Sequence, residues 1–180
     1  QADLLQALFN RNGESPLPVL AAASPSDGFA MTVMAYRLAV RAMTPVILLT
    51  DNYIANSAEP WAIPDPDSLE PIEVVHPTGA QRNGDEFRPY VRDAETGARP
   101  WAIPGTAGLE HRIGGLSKQP ETGNVSYDPD DTQAMNDQRR AKIARLAEYL
   151  PEQEVFGPDR GELLVVGWGG TFGAIRQGVR

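Results

Sequence analysis

The run Val46-Ile47-Leu48-Leu49-Thr50 constrains this chain more than any other feature. Consecutive β-branched and apolar residues describe a strand covered on both faces, the kind found in parallel sheets. Ahead of it, Phe29, Val33, Tyr36, Val40 and Met43 recur at alternating steps of four and three, the period of an apolar helix face, while Arg37 and Arg41 share the polar side. Ser24-Pro25-Ser26-Asp27 offers hydroxyl and carboxylate caps with a proline suited to a first turn, and Pro45 forbids continuation. Val19 to Ala23 reads as a small-residue strand. Together these segments predict a βαβ unit with two parallel strands joined by a helix that starts near Ser26. Asp51 then falls at the carboxyl end of the second strand, the edge where open α/β sheets bind ligands.

Around this unit the pattern is less regular. Ala2 to Phe9 has the spacing of a short amphipathic helix, stopped by Arg11-Asn12-Gly13. From Asp51 to Asp130 the chain makes a long irregular excursion that holds 10 of its 16 prolines, with only Ile72 to Val75 reading as a strand. Pro-Trp-Ala-Ile-Pro occurs twice, at Pro60 to Pro64 and Pro100 to Pro104, without the flanking similarity of a structural repeat. Trp61, Ile63, Phe87, Tyr90, Trp101, Ile103, Leu109 and Ile113 argue against simple disorder. Trp61 and Trp101 are expected to be largely buried, because two such anchors are costly to leave in water. Asp128, Asp130 and Asp131 precede a helix over Thr132 to Tyr149, with Met135, Ile143, Leu146 and Leu150 as its apolar stripe and Pro151 as its stop. Leu163 to Val166 reads as a buried strand that Gly167-Trp168-Gly169-Gly170 turns into a helix over Thr171 to Arg180. A strand feeding a helix implies further strands, and the chain lacks an initial methionine, so it reads as a fragment cut at both ends.

Charge and composition narrow the function. With 16 Lys and Arg against 24 Asp and Glu, the net charge of −8 disfavours nucleic acid and anionic lipid as partners. No apolar run reaches the length of a membrane span, and the amino-terminal stretch is not a secretory signal, so a cytoplasmic location is expected. The absence of cysteine excludes disulfides and any iron–sulfur cluster held by this chain's own thiolates. His76 and His111 are the only histidines, and no acidic residue has helical metal-ligand spacing to either. Asp128-Pro129-Asp130-Asp131 lacks the glycine and distal glutamate of a calcium loop and fits helix capping better. Arg139, Arg140, Lys142 and Arg145 read as a solvated helix face. Gly167, Gly169 and Gly173 follow a strand as in a dinucleotide fingerprint, yet the third glycine is one position late; a tight turn explains them as well.

Longer stretches carry a resemblance. Ala2-Asp-Leu-Leu-Gln-Ala-Leu, Asn12-Gly-Glu-Ser-Pro, Ser24-Pro-Ser-Asp, Thr44-Pro-Val-Ile-Leu-Leu-Thr-Asp51 and Ala55-Asn-Ser-Ala-Glu-Pro-Trp61 are similar in order and spacing to the α-subunits of 2-oxoacid:ferredoxin oxidoreductases, above all the 2-oxoglutarate type. So are Arg99 to Gly105, Gly108 to Gly115, Thr122 to Pro129 and Leu163 to Gly169. The resemblance covers nearly the whole chain.

It implies an α/β fold comprising part of a parallel-sheet thiamine-diphosphate pyrimidine-binding domain, a long irregular connecting segment and the start of a transketolase C-terminal-like domain. The implied boundaries are residues 1–61, 62–161 and 162–180. The implied activity is oxidative decarboxylation of a 2-oxoacid to an acyl-CoA, in a complex that uses thiamine diphosphate with magnesium and an iron–sulfur cluster, none of them bound by this chain alone. The implied partners are a β-subunit that holds the diphosphate and magnesium, with ferredoxin and coenzyme A. The family's catalytic residues lie upstream of Gln1, so the chain by itself is expected to be inactive. Asp51, Asn52 and Tyr53 are expected to form a substrate-proximal loop in the intact enzyme. Two readings of other classes stand beside this one: a noncatalytic protein-binding module, and an isolated nucleotide-binding α/β domain built on the glycine turn.

Overall fold

A computed structural model describes residues 2–9, 11–78, 86–158 and 160–179. Its centre is the predicted βαβ unit. Strand β1 (Val19–Ala21) and strand β2 (Ile47–Leu49) pair in parallel, with Val19 opposite Ile47 and Ala21 opposite Leu49. Between them runs helix α2 (Asp27–Ala42). Helix α1 (Ala2–Phe9) stands before β1, as its apolar spacing predicts. The strands are half-buried rather than enclosed, because α2 packs on them and they have no further strand alongside among the described residues.

The first turn of α2 is built by Ser24 and Asp27. Ser24 Oγ accepts from the Asp27 amide at 3.3 Å, and Asp27 Oδ2 reaches back to the Ala23 amide at 2.8 Å. The helix ends at Met43 in the left-handed region, φ 44°, ahead of Pro45. Its core face is Met34, Leu38 and Ala42, which meet Leu146, Leu20 and Val46. That is a correction to the apolar stripe read from the sequence. Phe29, Val33, Tyr36, Val40 and Met43 lie on another side of the helix, and Phe29 and Val40 receive the irregular segment instead. The helix is apolar on two sides, so periodicity alone picks the wrong one.

Both Pro-Trp-Ala-Ile-Pro segments dock on α2, at opposite ends. The Trp61 ring lies 5.4 Å from the Phe29 ring, and Trp101 Nε1 donates to the Val40 carbonyl at 3.0 Å. Phe29 and Val40 are eleven residues apart, about 16 Å along the helix axis. Neither indole is largely buried: Trp61 is 46% exposed and Trp101 37%. Phe87, Tyr90 and Leu109 in the same segment are buried, as expected of an excursion that packs.

Ile72 to Val75 is extended but pairs with no strand. Pro71 and Pro77 bracket it, and its residues line a groove against α2 instead. Leu163 to Val166 is likewise neither a strand nor buried. Backbone donors in an extended run need a neighbour, and none lies beside it among the described residues. The turn that follows does form, as a 3-10 turn over Gly169–Thr171 leading into helix α5 (Phe172–Gly178); Arg180, the last residue of the predicted helix, lies outside the described residues.

The carboxyl half closes back on α2 through helix α4 (Pro129–Arg145) and a 3-10 turn over Leu146–Tyr149. Asp128 caps α4 by accepting from the Asp130 amide at 2.9 Å, with Pro129 in the first turn, so the helix starts three residues before Thr132. The basic run on α4 is not one solvated face. Arg140 is exposed and paired with Asp137, but Lys142 is only 8% exposed and its ammonium donates to the Met43 carbonyl at 3.2 Å. A cation there meets the carbonyl end of α2, where the helix dipole favours positive charge.

Burial, with Arg92, Arg99 and Arg139 nearby, pulls the Lys142 pKa down from 10.5 to about 8. The unfolded lysine holds its proton up to its ordinary value, whereas the folded one loses it near 8, so the unfolded state binds more protons between these limits. Stability therefore rises with pH from about 8 to 10.5 through this group. Thermal melts across that range are expected to show a larger upward trend in the parent protein than in Lys142→Met. Leu38→Ala should cost about 2–5 kcal/mol in chemical denaturation, since Leu38 is the large side chain of the buried cluster that α2 contributes.

Candidate functional site

The carboxyl edge of the β1–β2 pair gathers three loops. After β1 come Ala22 to Asp27, after β2 come Asp51 and helix α3 (Asn52–Asn56), and beside them sits the glycine turn of residues 167–170. The two sequence features noted separately, Asp51 and the glycine turn, meet here across 119 residues.

Both Asp51 oxygens accept a backbone amide. Its Oδ1 accepts from the Ile54 amide at 2.9 Å, which caps α3, and its Oδ2 accepts from the Gly170 amide at 3.0 Å. A Cβ on Gly170 would come within 2.4 Å of Asp51 Oδ2, so the close approach demands glycine at that position. The glycine turn is thus a structural clasp. Its Gly170 amide is taken by a carboxylate of the same chain and is not free to hold a phosphate.

Asn52 and Tyr53 lie on the outside of this edge. The Asn52 side chain accepts from Asn56 Nδ2 at 2.7 Å, and Tyr53 is 68% exposed, projecting from α3 instead of packing beneath it. Ser57 Oγ, just past α3, is buried and makes no hydrogen bond.

A second carboxylate at the edge was not singled out from the sequence. Glu59 Oε1 accepts from Ser24 Oγ at 2.7 Å and from the Ser26 amide, and hydrogen bonds from Ser26 and then Ser24 hold its pKa below the ordinary glutamate value. It lies at the amino end of α2, where free amides and the helix dipole favour negative charge. The available signal was an acidic residue shortly after a strand whose neighbour opens a helix with Ser-Pro-Ser.

The histidines are apart from this edge. His76 Nδ1 bonds the Trp101 carbonyl at 2.8 Å, and His111 Nδ1 bonds the Leu109 carbonyl at 2.7 Å with its ring edge-on to Phe87. Among the described residues no group of three or more His, Cys, Asp or Glu could hold a metal, and no helix is long and apolar enough to cross a membrane.

An exposed carboxyl edge of a parallel pair, flanked by two amide-bound carboxylates, defines an α/β ligand-binding class of chain. Comparison with known proteins makes this specific. Residues 1–127 match the family described as pyruvate flavodoxin/ferredoxin oxidoreductase, thiamine diP-bdg, and the chain belongs to that family. It is 50% identical over its whole length to the 2-oxoglutarate oxidoreductase subunit KorA of Mycobacterium tuberculosis, covering 27% of that protein. It is 29% identical to 2-oxoacid:ferredoxin oxidoreductase 1, subunit alpha, of Aeropyrum pernix, over 94% of this chain and 26% of that one. A solved 2-oxoglutarate:ferredoxin oxidoreductase from Magnetococcus marinus, with 2-oxoglutarate, coenzyme A and succinyl-CoA bound, superimposes with a TM-score of 0.82 at 28% identity, covering 98% of this chain and 30% of that chain. The chain thus spans about a quarter of the length of the curated relatives it matches.

The family implies thiamine diphosphate, and the edge can be tested against it. None of residues 22–27, 51–59 or 167–171 is basic, and Asp51 and Glu59 already accept two hydrogen bonds each. A diphosphate needs cations or a metal, and this edge offers neither among the described residues. The diphosphate end of the cofactor does not fit here.

If the clasp holds the edge, Asp51→Ala should destabilise the fold by about 1–2 kcal/mol through the lost cap and the lost tie. Gly170→Ala should act on the same contact. A double-mutant cycle is expected to give a total well short of the sum of the two single losses.

Proposed function

We propose that this chain is part of the α-subunit of a thiamine-diphosphate-dependent 2-oxoacid:ferredoxin oxidoreductase, with 2-oxoglutarate as its substrate. The observation that carries the reading is 50% identity to a 2-oxoglutarate oxidoreductase subunit across 100% of the chain. The reaction is oxidative decarboxylation to an acyl-CoA. The complex supplies a β-subunit with the diphosphate and magnesium, an iron–sulfur cluster and a ferredoxin acceptor, all outside this chain.

Within it, residues 1–61 serve as the carboxyl-terminal part of the pyrimidine-binding domain and 62–161 as a connecting segment. Residues 162–180 begin a domain like the C-terminal domain of transketolase. The apolar run Leu163 to Val166, leading through a glycine turn into α5, supports that last assignment. Its exposed apolar side chains then pair and pack with further strands of the complete subunit.

The substrate-proximal loop is Asp51, Asn52 and Tyr53, with a division of labour that its hydrogen bonding supports. Asp51 positions the loop through its cap and its tie to Gly170, while Asn52 and Tyr53 face outward. Binding contacts then fall chiefly to the exposed Tyr53, while each Asp51 oxygen already accepts one backbone amide.

Purified alone, with thiamine diphosphate, magnesium and coenzyme A supplied, the chain is expected to give no 2-oxoglutarate-dependent reduction of an electron acceptor, because the edge cannot anchor the diphosphate. Sustained turnover by the isolated chain refutes the reading. In the assembled complex, Tyr53→Ala is expected to raise KM for 2-oxoglutarate several-fold at unchanged melting temperature, because an exposed side chain carries little stability. Unchanged kinetics would place the loop away from substrate.

A further inference from the structure

Away from the sheet edge, four cations converge from two elements. The turn of residues 93–98 closes on itself: the Asp93 amide donates to the Ala98 carbonyl and the Gly97 amide to the Asp93 carbonyl, both at 2.9 Å. Arg92 and Arg99 therefore leave the turn side by side. Helix α4 passes directly against it, so closely that a Cβ on Gly97, which sits at φ 69°, would lie 3.1 Å from Lys142 Cβ. Arg92 Nε reaches Gln138 Oε1 on the same helix at 2.8 Å. Arg139 stands three residues before Lys142, on the neighbouring turn of the same face.

Among the described residues these charges have only neutral partners. Arg92 donates to Gln138 and to the Gly97 carbonyl at 3.1 Å, Lys142 to the Met43 carbonyl, and Arg139 to Asn136. The Arg99 guanidinium lies 4.7 Å from the centre of the Tyr90 ring. Arg139 Nε is buried with no partner at all. The ion pairs among the described residues go to Arg37, Arg41, Arg88 and Arg140, and none to these four.

Gathering half-buried cations without a counter-anion is unfavourable, since each loses hydration and repels the others. The physical signature agrees: burial first, then the neighbouring arginines, pulls both Lys142 and Arg92 below their ordinary pKa values. Two of the four are also accessible. Arg92 and Arg99 line one wall of a groove of about 1140 Å³ between α2 and residues 68–77 and 87–101, a groove that also holds Trp101, Phe87 and Tyr149.

We propose that Arg92 and Arg99, backed by the charges of Arg139 and Lys142, form an oxyanion site that takes a phosphoryl group entering from this groove. A phosphoryl group is favoured over a single carboxylate because it carries about −1.5 to −2 charge at neutral pH and three acceptor oxygens, enough to meet several converging donors. Paired guanidinium groups suit its planar, forked recognition, and the lysine adds a compact charge.

The test is titration of inorganic phosphate into the assembled enzyme at fixed ionic strength in chloride, read by calorimetry and by the ³¹P linewidth, for the parent and for Arg92→Gln/Arg99→Gln. Phosphate sites elsewhere in the complex are common to both proteins, so the difference isotherm isolates this one. A saturable component weakened at least tenfold in the double variant, about 1.4 kcal/mol, is the expected result. Arg140→Gln, an exposed neighbour paired with Asp137, should leave that component intact. ADP in the same difference measurement separates the sources. Tighter binding than phosphate assigns the phosphoryl group to a nucleotide seated in the groove, and equal or weaker binding assigns it to the free ion. Should the double variant fail to fold, Lys142→Met, which keeps the buried stem packed, carries the same comparison. The proposal falls if the difference isotherm is flat, or if chloride competes as strongly as phosphate.

Discussion

Everything in this chain hangs on the contact where Leu38 and Ala42 of α2 meet Leu146 just past α4. It is the point at which the βαβ unit and the carboxyl half share one buried cluster, together with Leu20 and Val46 from the strand segments. Between these two halves lies the proline-rich excursion, whose ordering cost grows slowly with length once its ends are fixed. Fixing the ends is what this contact does, and polar ties reinforce it on the same side. Arg41 pairs with Glu95 at 2.7 Å and lies 3.6 Å from the centre of the Tyr149 ring, and the Tyr149 hydroxyl donates to the same glutamate. The excursion is then held by anchors along its length, Trp61 on Phe29 and Trp101 on Val40, instead of by a sheet of its own.

How far the sequence could be read follows from which interactions are local. The βαβ unit, α1 and the Asp128 cap of α4 depend on short-range periodicity and capping, and each forms, though the cap starts α4 at Pro129 and not at Thr132. The errors all concern a partner distant in sequence. The stripe on α2 was assigned to the wrong side because a helix between a sheet and a packed strap is apolar twice over. Ile72 to Val75 and Leu163 to Val166 have strand-like residues but no neighbouring strand, and a strand is a property of a pair. Lys142 reads as solvated because nothing in α4 alone shows that its ammonium meets the end of α2, 99 residues away.

The same distinction governs the sheet edge. Position at the carboxyl end of β2 made Asp51 a candidate for contact with a ligand, and the rule placed it at the right edge. What spacing could not supply was the Gly170 amide that occupies its second oxygen. Once both oxygens are committed, the carboxylate organises the loop and its neighbours present the surface. Glu59 holds the start of α2 through one oxygen, Oε1, which accepts from both Ser24 and Ser26.

Charge is therefore distributed in a way that separates tasks. The sheet edge is acidic and carries no basic residue in its three loops, so it does not draw in a phosphate. The cations without acidic partners stand at the far end of α2, where Met43, the turn of residues 93–98 and α4 come together. Helix α2 connects the two, with its amide end tied to Glu59 and its carbonyl end to Lys142. Each helix terminus is matched by the sign of charge that its dipole favours.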